Sequence, residues 1–308
     1  MARAPRLHQL SLALVLATWA LLVVGASVRV NGAGLACPDW PLCFGEVIPP
    51  LDLKVGFEFG HRVLAGLISL GFLALGGAIY RRRAELGRAA LGAWGAAAVL
   101  LAVQIVLGGL TVLHLLAEWT VASHLLTGNA FCATLLALTL VLRERAAPVA
   151  RAPVGAWDRL ATAALLVLAP LQLGLGGFVA GSYAGLACGT WPGCNGPEWF
   201  PTFEGLVGLQ VTHRLLAYVL LAVALAWALV ARGRTGSAAR LVLAAVVVQA
   251  SIGVANVLLR LPVEVTLLHT AGAAAVLLSV TLACWEAWRA PLRTDATAPA
   301  AALARESQ

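Results

Sequence analysis

The chain has 308 residues, of which 61% are hydrophobic and 11% are charged, and its mean hydropathy is +0.89. A soluble domain cannot bury so much apolar surface, so the composition excludes an ordinary soluble enzyme and indicates a protein whose solvent is lipid. The net charge of +7 would suit a nucleic-acid partner, but the basic residues are distributed as a membrane topology signal, which argues against that class.

Eight segments are long and apolar enough to cross a membrane as helices, since a spanning helix needs about 20 apolar residues. The first is too long, and too free of a cleavage pattern, for a removable signal peptide. We therefore predict an all-α polytopic membrane protein with little beyond short loops. The predicted spans are 10–30, 57–80, 92–113, 120–142, 158–179, 205–231, 238–259 and 265–288.

The basic residues mark one side of the membrane. By the positive-inside rule, this side is cytoplasmic, so both termini are predicted to be cytoplasmic and the odd-numbered loops to face outward from the cell inner (cytoplasmic) membrane. The arginines that carry this signal precede the first span, lie in the even-numbered loops or follow the eighth span: Arg3, Arg6, Arg81, Arg82, Arg83, Arg88, Arg143, Arg145, Arg151, Arg159, Arg232, Arg234, Arg240, Arg289, Arg293 and Arg305.

The two halves of the chain repeat each other. GASVRVNGAGLACPDWPLC (25–43) matches GGFVAGSYAGLACGTWPGC (176–194), and GHRVLAG matches THRLLAY. VQIVLGGLTVL (103–113) likewise matches VQASIGVANVL (248–258), and ASHLLTG (122–128) corresponds to LLHTAGA (267–273). Because each half has an even number of helices, both enter the membrane in the same orientation. The sequence therefore predicts two tandem four-helix bundles related by a pseudo-twofold axis along the membrane normal.

This repeat divides the chain into predicted domains. Residues 1–145 form an N-terminal four-helix bundle, and residues 146–157 form a cytoplasmic linker. Residues 158–308 form a C-terminal four-helix bundle with a disordered C-terminal tail.

Four of the six histidines lie at one depth. His61, His124, His213 and His269 each fall within about two turns of the outer end of an even-numbered span. A single histidine there would be read as a hydrogen-bonded helix-start residue, but four matched ones favour function, since ionisable groups inside a membrane are costly. Two imidazoles facing each other across a bundle can be the axial ligands of a haem iron. Zinc is less suitable, because two histidines leave its tetrahedral shell half empty.

An arginine directly follows one of these histidines in each half of the chain. Arg62 and Arg214 follow their histidines and could bind haem propionates or extend to the membrane interface; both interpretations stay open.

Glu58 lies on nearly the same helix face as His61, where it could act as a general base or stabilise a cation. Its alternative role is to complement the helix dipole. Because the repeat replaces Glu58 by Gln210, we interpret the first half as reactive and the second as a redox or structural haem site.

The outer loops contain two C-x5-C pairs, Cys37 with Cys43 and Cys188 with Cys194, each with Trp-Pro between the cysteines. Disulfides are permitted outside the cytoplasmic membrane. We expect one bond in each half, holding a lid over the haem pocket. For the first pair, a thiol–disulfide role in electron or haem delivery is an alternative.

These motifs resemble the haem A synthase family. GLACPDWPLCFG, FEFGHR, VQIVLGGLTVL and ASHLLTG carry the resemblance, which covers about the whole chain. It implies that His61 and His124 bind the substrate haem O and that Glu58 is catalytic. It also implies that His213 and His269 bind haem b.

The implied reaction oxidises the C8 methyl of haem O to the formyl group of haem A for cytochrome oxidase biogenesis, with water as the oxygen source. Beyond haem and membrane lipid, the partners compatible with this function are haem O synthase, an electron acceptor and further copies of the chain.

Two other functions are compatible with a two-haem membrane protein. The first is a non-catalytic dihaem electron-transfer subunit. The difference between Glu58 and Gln210 argues against this function. The second is a haem transporter or chaperone, which would release haem chemically unchanged. A haem O prenyltransferase is disfavoured, because the sequence has no D-x-x-x-D diphosphate-binding pattern.

Overall fold

A computed structural model of the chain describes residues 7–50, 52–148 and 154–289. The predictions for Arg3, Arg6, Arg151, Arg293 and Arg305, for the C-terminal tail and for part of the 146–157 linker lie outside these residues. The described residues form eight α-helices: α1 (Leu7–Val30), α2 (Leu53–Arg81), α3 (Arg83–Leu113), α4 (Glu118–Ala146), α5 (Ala156–Gly181), α6 (Gly205–Val230), α7 (Gly233–Leu258) and α8 (Val263–Trp288).

All eight helices are long and apolar enough to cross a membrane, which confirms the predicted multi-pass, all-helical class. Several helices begin before their apolar runs. α2 starts at Leu53 because the Asp52 side chain accepts a hydrogen bond from the Val55 N–H and caps the first turn. At α2, a polar cap and first turn thus lengthen the helix beyond what hydropathy alone indicates.

Helix α3 contains a break near its start. Gly87 has φ 75° and ψ 177°, which separates a short first turn from the long span. This φ favours glycine, and a side chain added at Gly87 would also meet the Arg145 guanidinium at 3.0 Å. The predicted span from residue 92 therefore captures the membrane-crossing part of α3 but not the turn before the break.

Helix packing follows the sequence repeat. In the first half α1 packs against α2 and α4, and α3 packs against α4. In the second half α5 packs against α6 and α8, and α7 packs against α8. Between the halves, the α4–α5 contact has its counterpart in a contact between α8 and α1. This pattern is compatible with a twofold relation, although the symmetry axis and the division into domains stay predictions.

Polar contacts also join the two halves. The Trp19 Nε1–H donates to the carbonyl oxygen of Ala271, 3.0 Å away, which ties α1 to α8. Near the opposite end of the helices, Arg289 Nε lies 2.5 Å from a carboxylate oxygen of Glu144, at the ends of α8 and α4. The first contact is a hydrogen bond between part-buried groups and the second is an ion pair at the helix ends, and both link the two halves.

Candidate functional site

The four membrane histidines lie at matching places in the fold. His61 and His213 are in the third turns of α2 and α6, and His124 and His269 are in the second turns of α4 and α8. The His61 and His124 rings are close enough to interact electrostatically, as are those of His213 and His269. Each half of the chain therefore brings two imidazoles together, and their role as haem ligands stays a prediction.

Each histidine ring packs against a glycine of the preceding helix. A methyl group added at Gly25 would lie 3.0 Å from His61 Cε1, closer than packed carbon atoms tolerate. The other three glycines meet their histidine Cε1 atoms in the same way: Gly108 meets His124 at 3.1 Å, Gly176 meets His213 at 3.2 Å and Gly253 meets His269 at 3.0 Å. The four glycines let the odd-numbered helices approach the imidazoles.

One helical turn before three of these glycines stands a glutamine that contacts the same histidine. Gln104 Nε2 lies 3.3 Å from His124 Nε2. Gln172 Nε2 lies 3.4 Å from His213 Nε2, and Gln249 Nε2 lies 3.1 Å from His269 Nδ1. At the fourth place the sequence has Leu21, so the ring of His61 has no such amide.

The donor atoms fit a haem. Among the described residues, the Nδ1 atoms of His61, His124 and His213 are buried without a hydrogen-bond partner. Buried polar atoms are normally paired, so an unpaired imidazole nitrogen points to a ligand. The described residues contain no group of three His, Cys, Asp or Glu side chains placed to hold a metal ion. A haem iron needs only the two axial ligands that each half offers.

Glu58 is buried, with 5% of its surface exposed, and both of its oxygens accept hydrogen bonds. Oε2 accepts from the Cys37 backbone N–H at 2.9 Å, and Oε1 accepts from Arg62 Nη2 at 2.5 Å. Gln210, its counterpart in the second half, instead donates from Nε2 to the carbonyl oxygen of Gly185 at 3.3 Å. The carboxylate therefore receives hydrogen bonds where the amide donates one.

Arg62 ties the first outer loop to α2. Besides its ion pair with Glu58, it donates from Nη1 to the carbonyl oxygens of Asp39 at 2.9 Å and Leu42 at 2.6 Å, and from Nη2 to that of Cys37 at 3.4 Å. These contacts use the terminal N–H groups of the guanidinium. A role for Arg62 in binding a haem propionate would require some of them to be exchanged, and it stays a prediction.

Arg214 holds the second outer loop in a similar way. It donates to the carbonyl oxygens of Cys188 at 2.7 Å and Gly193 at 3.3 Å. Its neighbour at the position of Glu58 is the uncharged Gln210, so the ion pair is confined to the first half. Its propionate role likewise stays a prediction.

Both outer loops are closed by disulfides, between Cys37 and Cys43 and between Cys188 and Cys194. In the first loop, hydrogen bonds from the backbone N–H groups of Gly45 and Phe44 lower the pKa of Asp39 and hold the turn around the disulfide.

Trp40, between the first pair of cysteines, packs over α3 at Gly109, where an added methyl group would lie 3.1 Å from the indole. The first loop thus contacts both α2 and α3, and its role as a lid over a haem pocket stays a prediction.

We did not identify the three glutamines, or Gly25 and Gly253, from the sequence. Their signal is a spacing, Q-x-x-x-G, which occurs at 104–108, 172–176 and 249–253, with L-x-x-x-G at 21–25. Residues four apart share a helix face. Each Q-x-x-x-G motif therefore places the glutamine amide and the space beside a glycine next to one histidine. Aligning the odd-numbered helices with one another would have revealed it.

Adding a methyl group at one of these glycines should disturb a haem site. We expect Gly253→Ala to push the His269 ring aside and weaken haem binding in the second half about tenfold, the lower end of the range for changes around a metal ligand. The haem content of the purified protein, measured as its pyridine haemochrome, tests this. The matched control is Gly77→Ala, where an added methyl group meets nothing within 4 Å. Equal haem contents in the two variants would contradict the expectation.

Comparison with known proteins shows which family the chain resembles. The family model COX15-CtaA, described as cytochrome oxidase assembly protein, matches residues 8–55 and 51–281. Among relatives, the haem A synthase of Shewanella oneidensis is 28% identical over 88% of this chain and 93% of its own length. The haem A synthase of Methylorubrum extorquens (strain PA1) is 32% identical over 85% of this chain and 82% of its own. That of Methylobacterium sp. (strain 4-46) is 34% identical over 84% and 85%.

Proposed function

Because the chain belongs to the cytochrome oxidase assembly family COX15-CtaA, we propose that it is a haem A synthase, an oxidoreductase that converts the C8 methyl group of haem O to the formyl group of haem A. The observation that carries this proposal is the buried carboxylate of Glu58, one helical turn from His61 in one half only. The relatives named haem A synthase, which match most of the chain, support the same activity.

We assign the two histidine pairs to different haems. His61 and His124 would hold the substrate haem O in the half that contains Glu58. His213 and His269 would hold haem b, which when bound supplies one-electron chemistry. The support for this assignment is that, in the second half, Gln210 stands at the place of the Glu58 carboxylate, beside a histidine pair that otherwise matches the first.

Glu58 acts on protons in this proposal. Oxidation of a methyl group with oxygen from water releases protons and electrons, so the reaction needs a proton acceptor near the methyl carbon and an electron acceptor. The Cys37 N–H and the Arg62 guanidinium hold the two carboxylate oxygens in place. A fixed carboxylate can accept the proton of the attacking water and stabilise positive charge that develops on the reacting carbon.

The side of the membrane and the partners are part of the same proposal. The arginine distribution supports an inner-membrane protein with cytoplasmic termini, whose haem sites then lie near the outer face. Haem O synthase would supply the substrate, and a separate electron acceptor would take the electrons. A homo-oligomer is compatible with this arrangement.

Extraction of haems from cells tests the activity directly. Cells that make haem O and lack their own haem A synthase should form haem A when they express this chain, detected by chromatography and by its formyl absorption. The control is the same strain without a haem O source, in which only haem b is expected. An unchanged haem O pool would contradict the proposal. It would favour the electron-transfer alternative if the protein retained two haems, and the transport alternative if haem left the cells unmodified.

A further inference from the structure

We infer that Arg29 anchors a haem propionate in the first half of the chain. The inference rests on the proposed function, because it takes the first half as the place that holds haem O, and it deepens that function by naming a group that orients the substrate. Arg29 lies in the last turn of α1, next to the first outer loop. The sequence repeat has Ala180 at the equivalent place, so this cation belongs to the first half alone.

Arg29 lies on the face of α1 that packs inside the first half. One turn earlier on this face is Gly25, where an added methyl group would lie 3.0 Å from Cε1 of His61 on α2. About five turns earlier is Ser11, whose hydroxyl contacts that of Thr139 on α4 at 2.7 Å. Arg29 therefore lies on the side of α1 that faces α2 and α4, one turn closer to the outer loop than the glycine that meets His61.

The guanidinium of Arg29 has no anionic partner in the described part of the chain. It makes neither a hydrogen bond nor an ion pair with any described residue, although it interacts electrostatically with Tyr183. Arg62 and Arg214, in contrast, donate their terminal N–H groups to loop carbonyl oxygens. The Arg29 side chain is partly buried, but its nitrogen atoms are not among the fully enclosed unpaired atoms of the described residues. The charge therefore faces a space that an anion can enter, and a partly buried charge gains stability from such a partner.

A second cation accompanies Arg29 in the first half. Lys54 lies in the first turn of α2, about two turns before His61, and its Nζ would lie 3.9 Å from a methyl group added at Gly32, just beyond the end of α1. Leu206 occupies the equivalent place in the second half. Lys54 is exposed and has no ion-pair partner among the residues that the structure describes. The ends of α1 and α2 next to the first outer loop therefore carry two positive groups that their counterparts in the second half lack.

A carboxylate of the porphyrin is the anion that fits this place. A guanidinium binds a carboxylate through paired N–H donors, which fixes direction as well as distance. In haem O, the C8 methyl group shares a pyrrole ring with one propionate. Holding that propionate at Arg29 therefore also restricts where the reacting methyl group lies relative to Glu58. Arg29 acts in this way as a positioning residue and takes no part in proton transfer.

Haem b and its dimethyl ester distinguish a carboxylate anchor from a residue that only supports the fold, because the ester has the same ring without the propionate charges. Arg29→Met and Arg29→Lys are each made together with His213→Ala and His269→Ala, so that only the first half offers a histidine pair. The full-length proteins in detergent are titrated with each porphyrin, and absorbance gives the two affinities. Electron paramagnetic resonance reports the axial ligation, and melting temperatures exclude a general loss of structure.

The unsubstituted first-half site should bind haem b more tightly than the ester. Arg29→Met should lower this preference about 10–100-fold, the usual effect of losing a hydrogen bond to a charged group, by weakening the binding of haem b and not that of the ester. Arg29→Lys should retain part of the preference. Lys54→Met should lower it by at most about fivefold, because exposed charge pairs contribute little. The matched control is Arg260→Met, which removes an exposed arginine from another outer loop and should leave the preference unchanged.

An equal loss of affinity for haem b and for the ester in Arg29→Met would show a role in folding alone and would overturn the inference. An unchanged preference would overturn it as well and would assign the guanidinium to another anion, such as a lipid phosphate. A first-half protein that takes up neither porphyrin would also overturn it.

These outcomes are separable from failure of the proposed function. If cells form haem A while the preference for haem b does not depend on Arg29, the enzyme assignment stands and only the role of Arg29 is removed. If the preference depends on Arg29 in a chain that forms no haem A, the carboxylate anchor stands and the enzyme assignment is removed.

Discussion

Glu58→Gln is expected to lower the rate of haem A formation by about a hundred- to ten-thousand-fold, the usual contribution of a positioned acid or base. Haem binding should be nearly unchanged, because the four histidines proposed as ligands are untouched. The measurement is the ratio of haem A to haem O in extracts, together with the haem content of the purified variant. Loss of product with haem retained is the pattern expected of a catalytic carboxylate.

The second half of the protein indicates that this variant will fold. There, Gln210 donates to the Gly185 carbonyl and Arg214 still donates to Cys188, so an amide is tolerated next to the arginine-held loop. We expect residue 58 to adopt the same arrangement once it is an amide. Gln210→Glu is the reciprocal control and should leave haem A formation within a few-fold of wild type. Normal product formation by Glu58→Gln would show that the carboxylate is not needed.

The helices and the histidine quartet could be predicted from the sequence because they rest on local signals. Apolar length determines where a chain crosses a membrane, and the internal repeat aligns His61 with His213 and His124 with His269. The helix ends were less predictable. At α2, one side-chain cap from Asp52 moves the start several residues before the apolar run.

The contacts around the histidines could not be predicted in the same way, although the Q-x-x-x-G spacing that accompanies three of them is present in the sequence. Gln172 and His213 lie on different helices, and nothing in either segment alone indicates that they touch. Arg62 shows the same limit. Its sequence position suggested a ligand carboxylate or the membrane interface, whereas its partners in the structure are loop carbonyl oxygens and Glu58. A long side chain can reach several hydrogen-bond acceptors. Which of these acceptors lie within reach is determined only once the loop has folded.

Removal of a single histidine proposed as a ligand should change the resident haem b only in the second half. His61→Ala should abolish haem A formation and leave the resident haem b in place, because the second-half ligands are intact. His213→Ala should remove that haem b. If electrons leave the substrate through the second haem, it should also lower haem A formation at least about a hundredfold, comparable with loss of a catalytic group. The measurements are pyridine haemochrome spectra of the purified variants and chromatography of cell extracts.

His114→Ala is the matched control for both variants. His114 lies just after α3 with its ring 5.4 Å from that of Trp119, and it belongs to none of the Q-x-x-x-G motifs, so its loss should change neither haem content nor product. A His213→Ala protein that kept its full haem b would contradict the assignment of that ligand. If instead haem b were lost while haem A still formed at the normal rate, the second haem would be structural, and electrons would leave the first half by another route.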